Sequence, residues 1–384
     1  RYWRFSDWRL GRVNMTAGAR LQENVLLRTN VFFAKYDNTL DSYDDNTYGS
    51  QEKGYALHSV FDDHTLGGNF QLTGHLGSAG DVSAGGGVIQ DVHRDTPDVS
   101  EPTQEFRART AWISVEDKVQ IRERATVAAG ISYSLLSKRK AGMMANTGDD
   151  QSTLCPRLSM AYLLSRSSRL YLALARTNRF PTMKQLYGTD GNPLLRSQRV
   201  DHLELGGEWT PDPTARLQAA VFYDRGKDLI ESNYVSRTAD NIARARLWGG
   251  ELIIWGRPSK HLRAMLGYSF LQARNRSDQR SGEYLQYRPE HQWDWRLWID
   301  LPSGFTALFD GTVVSRQYYY DDFHERRLSH LAPYALAHVT LKREFSFGLE
   351  PYVIINNILD TAYPYVYTSP APGREIRGGM RMSW

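Results

Sequence analysis

Two groups of tyrosines are the most prominent side chains in this sequence with a chemistry to offer. Tyr318, Tyr319 and Tyr320 are consecutive, and Tyr365 and Tyr367 lie near the carboxyl end of the chain. Aromatic rings stack on flat partners and a phenol can hydrogen-bond at its rim, so such a cluster could hold a planar chelate or a sugar. The same residues are also typical of an aromatic girdle at a membrane interface. The sequence leaves both interpretations open.

The remaining candidates for chemistry form no recognisable site. His64 and His324 stand beside acidic residues, but the spacings match no zinc or calcium ligand pattern, which favours solvated loop charge. Cys155 is the only cysteine, and no Gly-x-Ser-x-Gly nucleophile motif occurs. We therefore expect no metal site, no cofactor and no enzymatic activity.

Composition narrows the class of protein. The chain has 384 residues and a net charge of +4 without a basic stripe along the sequence, which argues against nucleic-acid binding. No run of about 18 apolar residues is present, so a transmembrane helix is excluded. The 10 Trp, 22 Tyr and 14 Phe are a heavy aromatic load for a chain with a mean hydropathy of -0.53. Belts of Trp and Tyr at bilayer interfaces would account for them.

Long β-strands must position these residues. Apolar and polar residues alternate over 66–76, 125–135, 262–270, 293–301 and 375–384. Each segment is longer than the usual strand of a soluble sheet, and each turns successive side chains to opposite faces. The segments therefore have one apolar face and one polar face.

The polar face decides the setting of the sheet. Arg296, Asp300, Glu208 and Arg381 share it with many Ser, Thr and Gln, which is too polar for the filled interior of a small barrel. We predict that the apolar face contacts lipid, that the polar face lines a wet lumen, and that Trp293 and Trp295 lie at the membrane interface. The alternative is a soluble β-sandwich or lectin whose core is the apolar face.

Tight turns alternate with long polar connections along the chain. Turns rich in Gly, Pro, Asp and Ser are expected at 77–80, 165–168, 211–214, 257–260 and 301–304, and long connections at 37–53, 94–104, 139–151, 181–198, 233–241, 275–283 and 321–331. This asymmetry predicts an all-β, antiparallel transmembrane β-barrel of about seventeen strands, and no segment shows a helical period. The turns recur at a period that would also suit a propeller, but a propeller blade packs four short strands where this chain has two long ones.

Several ordered motifs in the second half of the chain resemble those of TonB-dependent outer-membrane receptors. They are Asn-Arg-Phe-Pro-Thr at 178–182, Gly-Asn-Pro-Leu-Leu at 191–195, Asp-His-Leu-Glu-Leu-Gly at 201–206, Ala-Arg-Leu-Trp-Gly-Gly-Glu at 245–251 and Asn-Asn-Ile-Leu-Asp at 356–360. Barrels of that family have 22 strands, a plug and a short energy-coupling box. The resemblance implies that residues 1–384 are part of a receptor barrel domain, with about 16–18 of the 22 strands and without the plug and coupling box.

The resemblance also implies a function. The family takes up scarce solutes such as iron–siderophore complexes, other metal chelates or vitamin B12 across the bacterial outer membrane, driven by the TonB complex through an N-terminal region. By this resemblance Arg179, Arg196 and Arg199 are candidates for binding an anionic chelate, although such arginines also pair with lipopolysaccharide phosphates or water. No His lies between Phe180 and Pro193, which disfavours haem.

Other partners and other functions remain open on the sequence. Outer-membrane lipid and lipopolysaccharide are expected around the barrel. Trp384 stands where the family ends in Phe, so it is either a signal for the barrel-assembly machinery or an interface anchor. The alternative functions are a passive porin and a soluble, aromatic-rich glycan-binding protein.

Overall fold

The structure is a computed structural model that describes residues 2–54, 56–77, 80–143, 148–188, 191–233, 238–278, 282–321, 327–367 and 369–383. Over these residues the chain forms twenty-one β-strands and one short α-helix. Seventeen of the strands belong to one sheet, and the other four form two small hairpins. Within the described part of the chain, no helix has the length and apolar character of a membrane span.

One compact unit comprises Arg1–Leu158, Ala175–Arg199 and Asp228–Asn241. Its six long strands form an antiparallel meander in which each strand pairs with the next along the chain. The strands are β1 (Tyr2–Gln22), β2 (Val25–Tyr43), β3 (Leu57–His75), β4 (Asp81–Thr96), β5 (Gln104–Ile121) and β6 (Ala125–Ala141).

The other compact unit comprises Ser159–Leu174, Val200–Lys227 and Ile242–Trp384. Its antiparallel strands again pair with their neighbours in the main sheet. They are β12 (Leu262–Asn275), β13 (His291–Asp300), β14 (Phe305–Val314), β17 (Tyr334–Arg343), β18 (Leu349–Asn356) and β21 (Glu375–Met382). The small hairpins are β15 (Gln317–Asp321) with β16 (Arg327–Leu331), and β19 (Pro364–Val366) with β20 (Ser369–Pro370).

Five further strands contribute residues to both units. They are β7 (Gln151–Ser165), β8 (Ser168–Arg179), β9 (Gln198–Asp212), β10 (Ala215–Asn233) and β11 (Thr238–Ser259), and the helix α1 (Met183–Tyr187) lies between β8 and β9. The seventeen strands of the main sheet match the predicted number.

The alternation predicted from the sequence is present in the folded sheet. Phe33 and Leu66 are directly opposite each other on β2 and β3, and 42% and 52% of their surfaces are exposed. In the other unit, Trp293 is 43% and Met380 is 74% exposed. Large apolar residues in such numbers would not remain uncovered in water, so this face is built to contact an apolar medium.

The opposite face carries the charges, and they pair across strands. Glu208 accepts a hydrogen bond from Arg216 at 2.8 Å, and Asp300 lies 3.6 Å from Arg263. Arg381 lies 3.8 Å from Glu350, which also accepts from Lys342 at 2.6 Å. Ion pairs of this kind need a wet or polar surrounding. This agrees with the prediction that the polar face lines a water-filled lumen.

Several boundaries differ from the sequence-based prediction because polar residues extend the strands. Residues 37–43, expected in a loop, are the end of β2, where Asp37 forms an ion pair with Lys35 on the same face of the strand. The turn expected at 257–260 lies at Lys260 and His261, after the end of β11, and β11 already begins at Thr238. Residues 327–331, expected in the loop 321–331, form the strand β16, which pairs with β15 at 317–321 in a small hairpin.

The short helix α1 is an element that the sequence pattern does not indicate. Thr182 caps it with its side-chain oxygen on the backbone N–H of Gln185, and the Gln185 side chain accepts from the backbone N–H of Thr182. This reciprocal capping box satisfies the first turn of a helix that is too short to show a helical period in the sequence.

Aromatic rings lie over glycines on neighbouring strands in both units. A side chain added at any of these glycines would collide with the ring. In one unit the pairs are Phe32 with Gly67 and Trp112 with Gly87; in the other they are Tyr171 with Gly206, Phe222 with Gly249, Trp295 with Gly311, and Tyr352 with Gly379. Trp295 and Gly311 are directly opposite in the register, so the indole lies flat on the sheet.

Replacing Leu297 by arginine should lower the free energy of unfolding by roughly 2–4 kcal/mol, because the guanidinium would face hydrocarbon midway along β13. Leu308→Arg is the matched control. Leu308 lies on the neighbouring strand β14 opposite Trp298, on the charged face, and is half-buried like Leu297. The Leu308 substitution should lower the free energy of unfolding clearly less than the Leu297 substitution does. Urea unfolding in phospholipid vesicles measures this free energy for both variants, and equal losses would contradict the assignment of the two faces.

Candidate functional site

Two groups of ordered loop residues are candidates for ligand contact, one in each unit. The first follows β8 and contains α1 and the segment that leads to β9. Leu186, Tyr187 and Leu195 of this segment are almost completely buried against Phe106 and Ala141 at the ends of β5 and β6. Burying three large apolar side chains is what holds this connection as a defined structure.

A stack of four rings extends this small core. The ring of Tyr187 lies 5.2 Å from that of Phe106, Phe106 lies 5.8 Å from His93, and His93 lies 5.6 Å from Phe61. The Nδ1 atom of His93 is 2.5 Å from a carboxylate oxygen of Asp63, which fixes the imidazole in its plane. Burial raises the pKa of Tyr187 to about 12, so its phenol is neutral at physiological pH.

Two asparagines tie the loop to its surroundings. The side-chain amide of Asn192 donates to the carbonyl of Ala239 at 3.1 Å. Asn241 donates to the carbonyls of Arg196 and Asp228 at 3.0 and 2.8 Å, and its side-chain oxygen accepts from the backbone N–H of Arg196 at 2.8 Å. The loop is thus held by directional bonds as well as by apolar burial.

The three arginines predicted from the sequence have different surroundings in this loop. Arg196 donates to the carboxylate of Asp228 at 2.6 Å, so part of its guanidinium is occupied by a structural ion pair. Arg179 is exposed and donates to Gln185 at 3.3 Å. Arg199 is half-buried, and its buried Nε has no hydrogen-bond partner among the described residues. Of the three arginines, the exposed Arg179 therefore has the most accessible donor capacity for an anionic ligand.

The second group is a cluster of tyrosines in the other unit, centred on Tyr319 of β15. Tyr319 is only 6% exposed and lies between Tyr367, at 4.6 Å, and Tyr287, at 6.1 Å, with nearly parallel rings. We call Tyr287, Tyr319 and Tyr367 the tyrosine stack. Tyr319 is thus buried within this stack, whereas a residue of an outer aromatic girdle would be exposed to lipid.

The flanking tyrosines are held in place by the segment between β12 and β13. The ring centroids of Tyr318 and Tyr284 are 4.1 Å apart. The guanidinium of Arg274, which belongs to β12, lies 3.9 Å from the ring centroid of Tyr284. The hydroxyl of Tyr320 accepts from the backbone N–H of Tyr284 at 3.0 Å. Rings fixed in this way offer a flat surface without losing much conformational freedom when a ligand binds.

The last hairpin supplies the accessible part of the cluster. Tyr365 is 62% exposed, and its hydroxyl accepts from Tyr363 at 3.2 Å. Burial and this neighbour raise the pKa of Tyr363 to about 12. The negative charge of Asp321 raises the pKa of Tyr367. The phenols of Tyr363 and Tyr367 are therefore neutral at physiological pH and suited to stacking and to neutral hydrogen bonds.

The structure thus unites four of the five predicted tyrosines with partners that the sequence analysis missed. Tyr284, Tyr287, Tyr363 and Arg274 carry no signal of their own in the sequence, although the density of Tyr in 284–287 could have drawn attention. Trp293 is exposed on the apolar face, 4.3 Å from Tyr268, and Trp295 lies over Gly311 on the same face; their place at a membrane interface stays a prediction. Trp384 and His324 lie outside the described residues.

No group of three or more His, Cys, Asp or Glu that could hold a metal ion occurs among the residues that the structure describes. Near His64, Asp62 forms an ion pair with Lys35, whereas Asp63 turns to the opposite face and contacts His93. Neighbouring residues on a strand point in opposite directions, so this sequence cluster is separated in space.

Comparison with known proteins decides the family. The model of the TonB-dependent receptor-like β-barrel matches residues 1–358. The chain belongs to this family. Its sheet is therefore the antiparallel transmembrane β-barrel of a receptor in the bacterial outer membrane, and the family consists of receptors and transporters, not enzymes.

Solved structures of this receptor family share the fold at low sequence identity. The copper transporter OprC is 16% identical with a TM-score of 0.82, over 100% of this chain and 67% of its own. The ferric-catecholate import receptor Fiu from E. coli K12 is 15% identical with a TM-score of 0.73, over 97% and 64%. The ferric yersiniabactin uptake receptor FyuA from Yersinia pestis is 16% identical with a TM-score of 0.72, over 97% and 61%.

This receptor barrel chain spans about two thirds of the length of those proteins. Comparison with curated proteins finds no match. The family assignment thus rests on the family model and on the fold.

Leu195→Ala should release the loop that contains α1, because Leu195 is 1% exposed in the small core and truncation of such a residue costs about 2–5 kcal/mol. Limited proteolysis of the folded barrel should then cut within 181–197 much faster than in the original protein. Leu194→Ala is the control, since Leu194 is the preceding residue and is 71% exposed. Similar cleavage of both variants would show that the buried core does not hold this loop.

Proposed function

We propose that this chain is the barrel part of a receptor for the energy-coupled uptake of a metal chelate, with an iron–siderophore complex as the first candidate and a vitamin B12-like compound as the second. The observation that carries the proposal is the tyrosine stack. Its central ring is buried and its outer ring, Tyr367, is half-buried beside the exposed Tyr365. A fixed aromatic surface of this kind suits a ligand with flat aromatic groups.

The known relatives support a metal chelate as the class of solute. The similar structures include a copper transporter, a ferric-catecholate import receptor and a ferric yersiniabactin uptake receptor. In the first unit, the exposed guanidinium of Arg179 makes one hydrogen bond, to Gln185, and its remaining donors would suit the carboxylates or catecholates of an anionic chelate. Arg199, which is half-buried in the same unit, is the second candidate. The neutral tyrosines add contact area without adding charge.

Energy coupling is the second part of the proposal. In this family it requires a plug of about 150 residues, a usual size for a domain, and contact of the N-terminal region with the TonB complex. A passive porin is the competing function. It is distinguished by uptake that continues when TonB is removed, whereas uptake by the proposed receptor must stop.

The proposal is tested in a strain that lacks the native gene, grown with one ferric siderophore, copper chelate or corrinoid at a time as the limiting nutrient. Growth should depend on the gene for at least one of these solutes and should require TonB. If growth on every one of these solutes is independent of the gene, the proposed class of solute is refuted. Growth that needs the gene but not TonB would favour the porin.

Tyr367→Ala in the full-length receptor should weaken binding of that solute roughly two- to tenfold, because a ring stacked on a flat ligand contributes about 0.5–1.5 kcal/mol. The matched control is Tyr133→Ala, which removes a tyrosine 45% exposed on the apolar face of β6. The Tyr133 variant should bind the solute with unchanged affinity. Quenching of intrinsic fluorescence during titration with the solute measures the affinity of both variants. Equal affinities of the Tyr367 variant and the original receptor would exclude the tyrosine stack as the binding surface.

A further inference from the structure

The apolar face of the first unit ends abruptly in charge at the end of the strands where the connections are long. The boundary row is Phe33 on β2, Leu66 on β3 and Arg109 on β5, linked through Gln90 on β4 by the register of the strands. Arg109 donates to Gln90 at 3.0 Å. Side chains two residues further along each strand point in the same direction, so the next rows lie on the same outward face.

The next two rows are mostly ionic. One contains Lys35, Arg107 and Lys140, which are joined by the register through His64 and Val92. The row beyond it contains Asp37, Asp62, Arg94 and Glu105. We call the three rows together the charged border. It has five cations, which are Lys35, Arg94, Arg107, Arg109 and Lys140, and three carboxylates.

The carboxylates of the charged border are shared between cations. Glu105 lies 2.8 Å from Arg107, 3.2 Å from Arg94 and 3.5 Å from Lys140. Asp62 contacts Lys35 and lies 3.6 Å from Arg94. The cations are held upright by this sharing, yet the side chains of Lys35, Arg94, Arg107 and Lys140 are still between 36% and 52% exposed.

The position of the charged border matches the headgroup layer of a membrane. Rows on one face of a strand are about 7 Å apart along the strand, or about 5 Å apart in depth when the strand is tilted by about 35–45°. The headgroup layer extends roughly 5–8 Å beyond the hydrocarbon on each side of the bilayer. With the row of Phe33, Leu66 and Arg109 at the edge of the hydrocarbon, Lys35, Arg107 and Lys140 are at the depth of lipid phosphates. Arg94 is one row further out, at about the length of an arginine side chain from them.

Folding stability does not explain the charged border. Exposed ion pairs contribute little to the free energy of unfolding. The border has two more cations than carboxylates, and guanidinium and ammonium groups pair strongly with phosphate, so the surplus charge suits an anionic partner. In this family the long connections face the cell exterior, and the outer leaflet there consists of lipopolysaccharide with phosphorylated headgroups.

We propose that the charged border is a binding site for the headgroup phosphates of lipopolysaccharide in the outer leaflet. Lipopolysaccharide is an expected neighbour of any such barrel; the structure assigns the residues that bind it. Arg94, Arg107 and Lys140 contact the phosphates together with Lys35 and Arg109, while the acyl chains lie along the apolar rows around Phe33 and Leu66. The site is independent of the transported solute and of the tyrosine stack.

The test uses the full chain in detergent micelles, titrated with purified lipopolysaccharide and followed by native mass spectrometry. The triple variant Arg94→Gln, Arg107→Gln, Lys140→Gln should bind about a hundredfold more weakly, at about fivefold for each cation near a charged lipid surface. The control is Arg12→Gln, Arg28→Gln, Arg157→Gln, which removes the same charge from the opposite face of the same unit. It should change the affinity less than twofold.

Two further probes separate the source of the phosphate. Lipopolysaccharide stripped of its phosphate groups should bind the original protein as weakly as intact lipopolysaccharide binds the triple variant. Inorganic phosphate alone should not compete at matched concentration, because it lacks acyl chains; full competition would replace the lipid site by a simple anion site. Equal binding of the stripped lipid, or equal losses in both triple variants, would overturn the proposal. If the triple variant does not fold, Lys140→Gln alone should lower the affinity about fivefold.

Discussion

The structure depends on one constraint: in hydrocarbon, every backbone N–H and C=O must be bonded within the protein. Long antiparallel strands meet it by pairing along their whole length, as β1 and β2 do from Tyr2 with Tyr43 to Gln22 with Val25. Once the pairing is fixed, each side chain has a face and a depth. The exposed Phe33 and Leu66, the paired Glu208 and the charged border all follow from this register.

The ordered loops obey a different rule, because they must be stable without lipid. Each candidate site has a small buried core like that of a soluble domain. In one unit Leu186, Tyr187 and Leu195 pack on Phe106, and in the other Tyr319 packs against Tyr367. Directional bonds from Asn192 and Asn241 complete the first. A receptor needs this rigidity, since a ligand that has to order a loop loses affinity.

The sequence predicts what is local and periodic. Alternation identified the strands, their faces and their number, because each residue reports its own face with a period of two. Tight turns at 165–168 and 301–304 were recognisable from their Pro, Ser and Gly residues. The capped helix α1 is too short for a period, and residues 37–43 have loop-like composition although they continue β2.

What depends on register could not be predicted from the sequence. Lys35, Arg107 and Lys140 are far apart in the chain, so no basic stripe is visible in the sequence, yet pairing of five strands brings them into one row. The same holds for Tyr287 and Tyr367 around Tyr319, which come together only when a loop and two hairpins meet. For Arg196, the buried partner Asp228 is equally remote in sequence.

The rings that lie over glycines have a consequence for how such a sheet is assembled. If Trp295 were paired two residues out of step, its indole would meet the side chain of Phe309 or Val313 instead of the space above Gly311, and the hairpin would close poorly. A slip of one residue would turn the whole strand to the wrong face. Because rings over glycines recur from Phe32 to Tyr352, the correct register is favoured separately at several strand pairs, in a chain whose faces all depend on correct pairing.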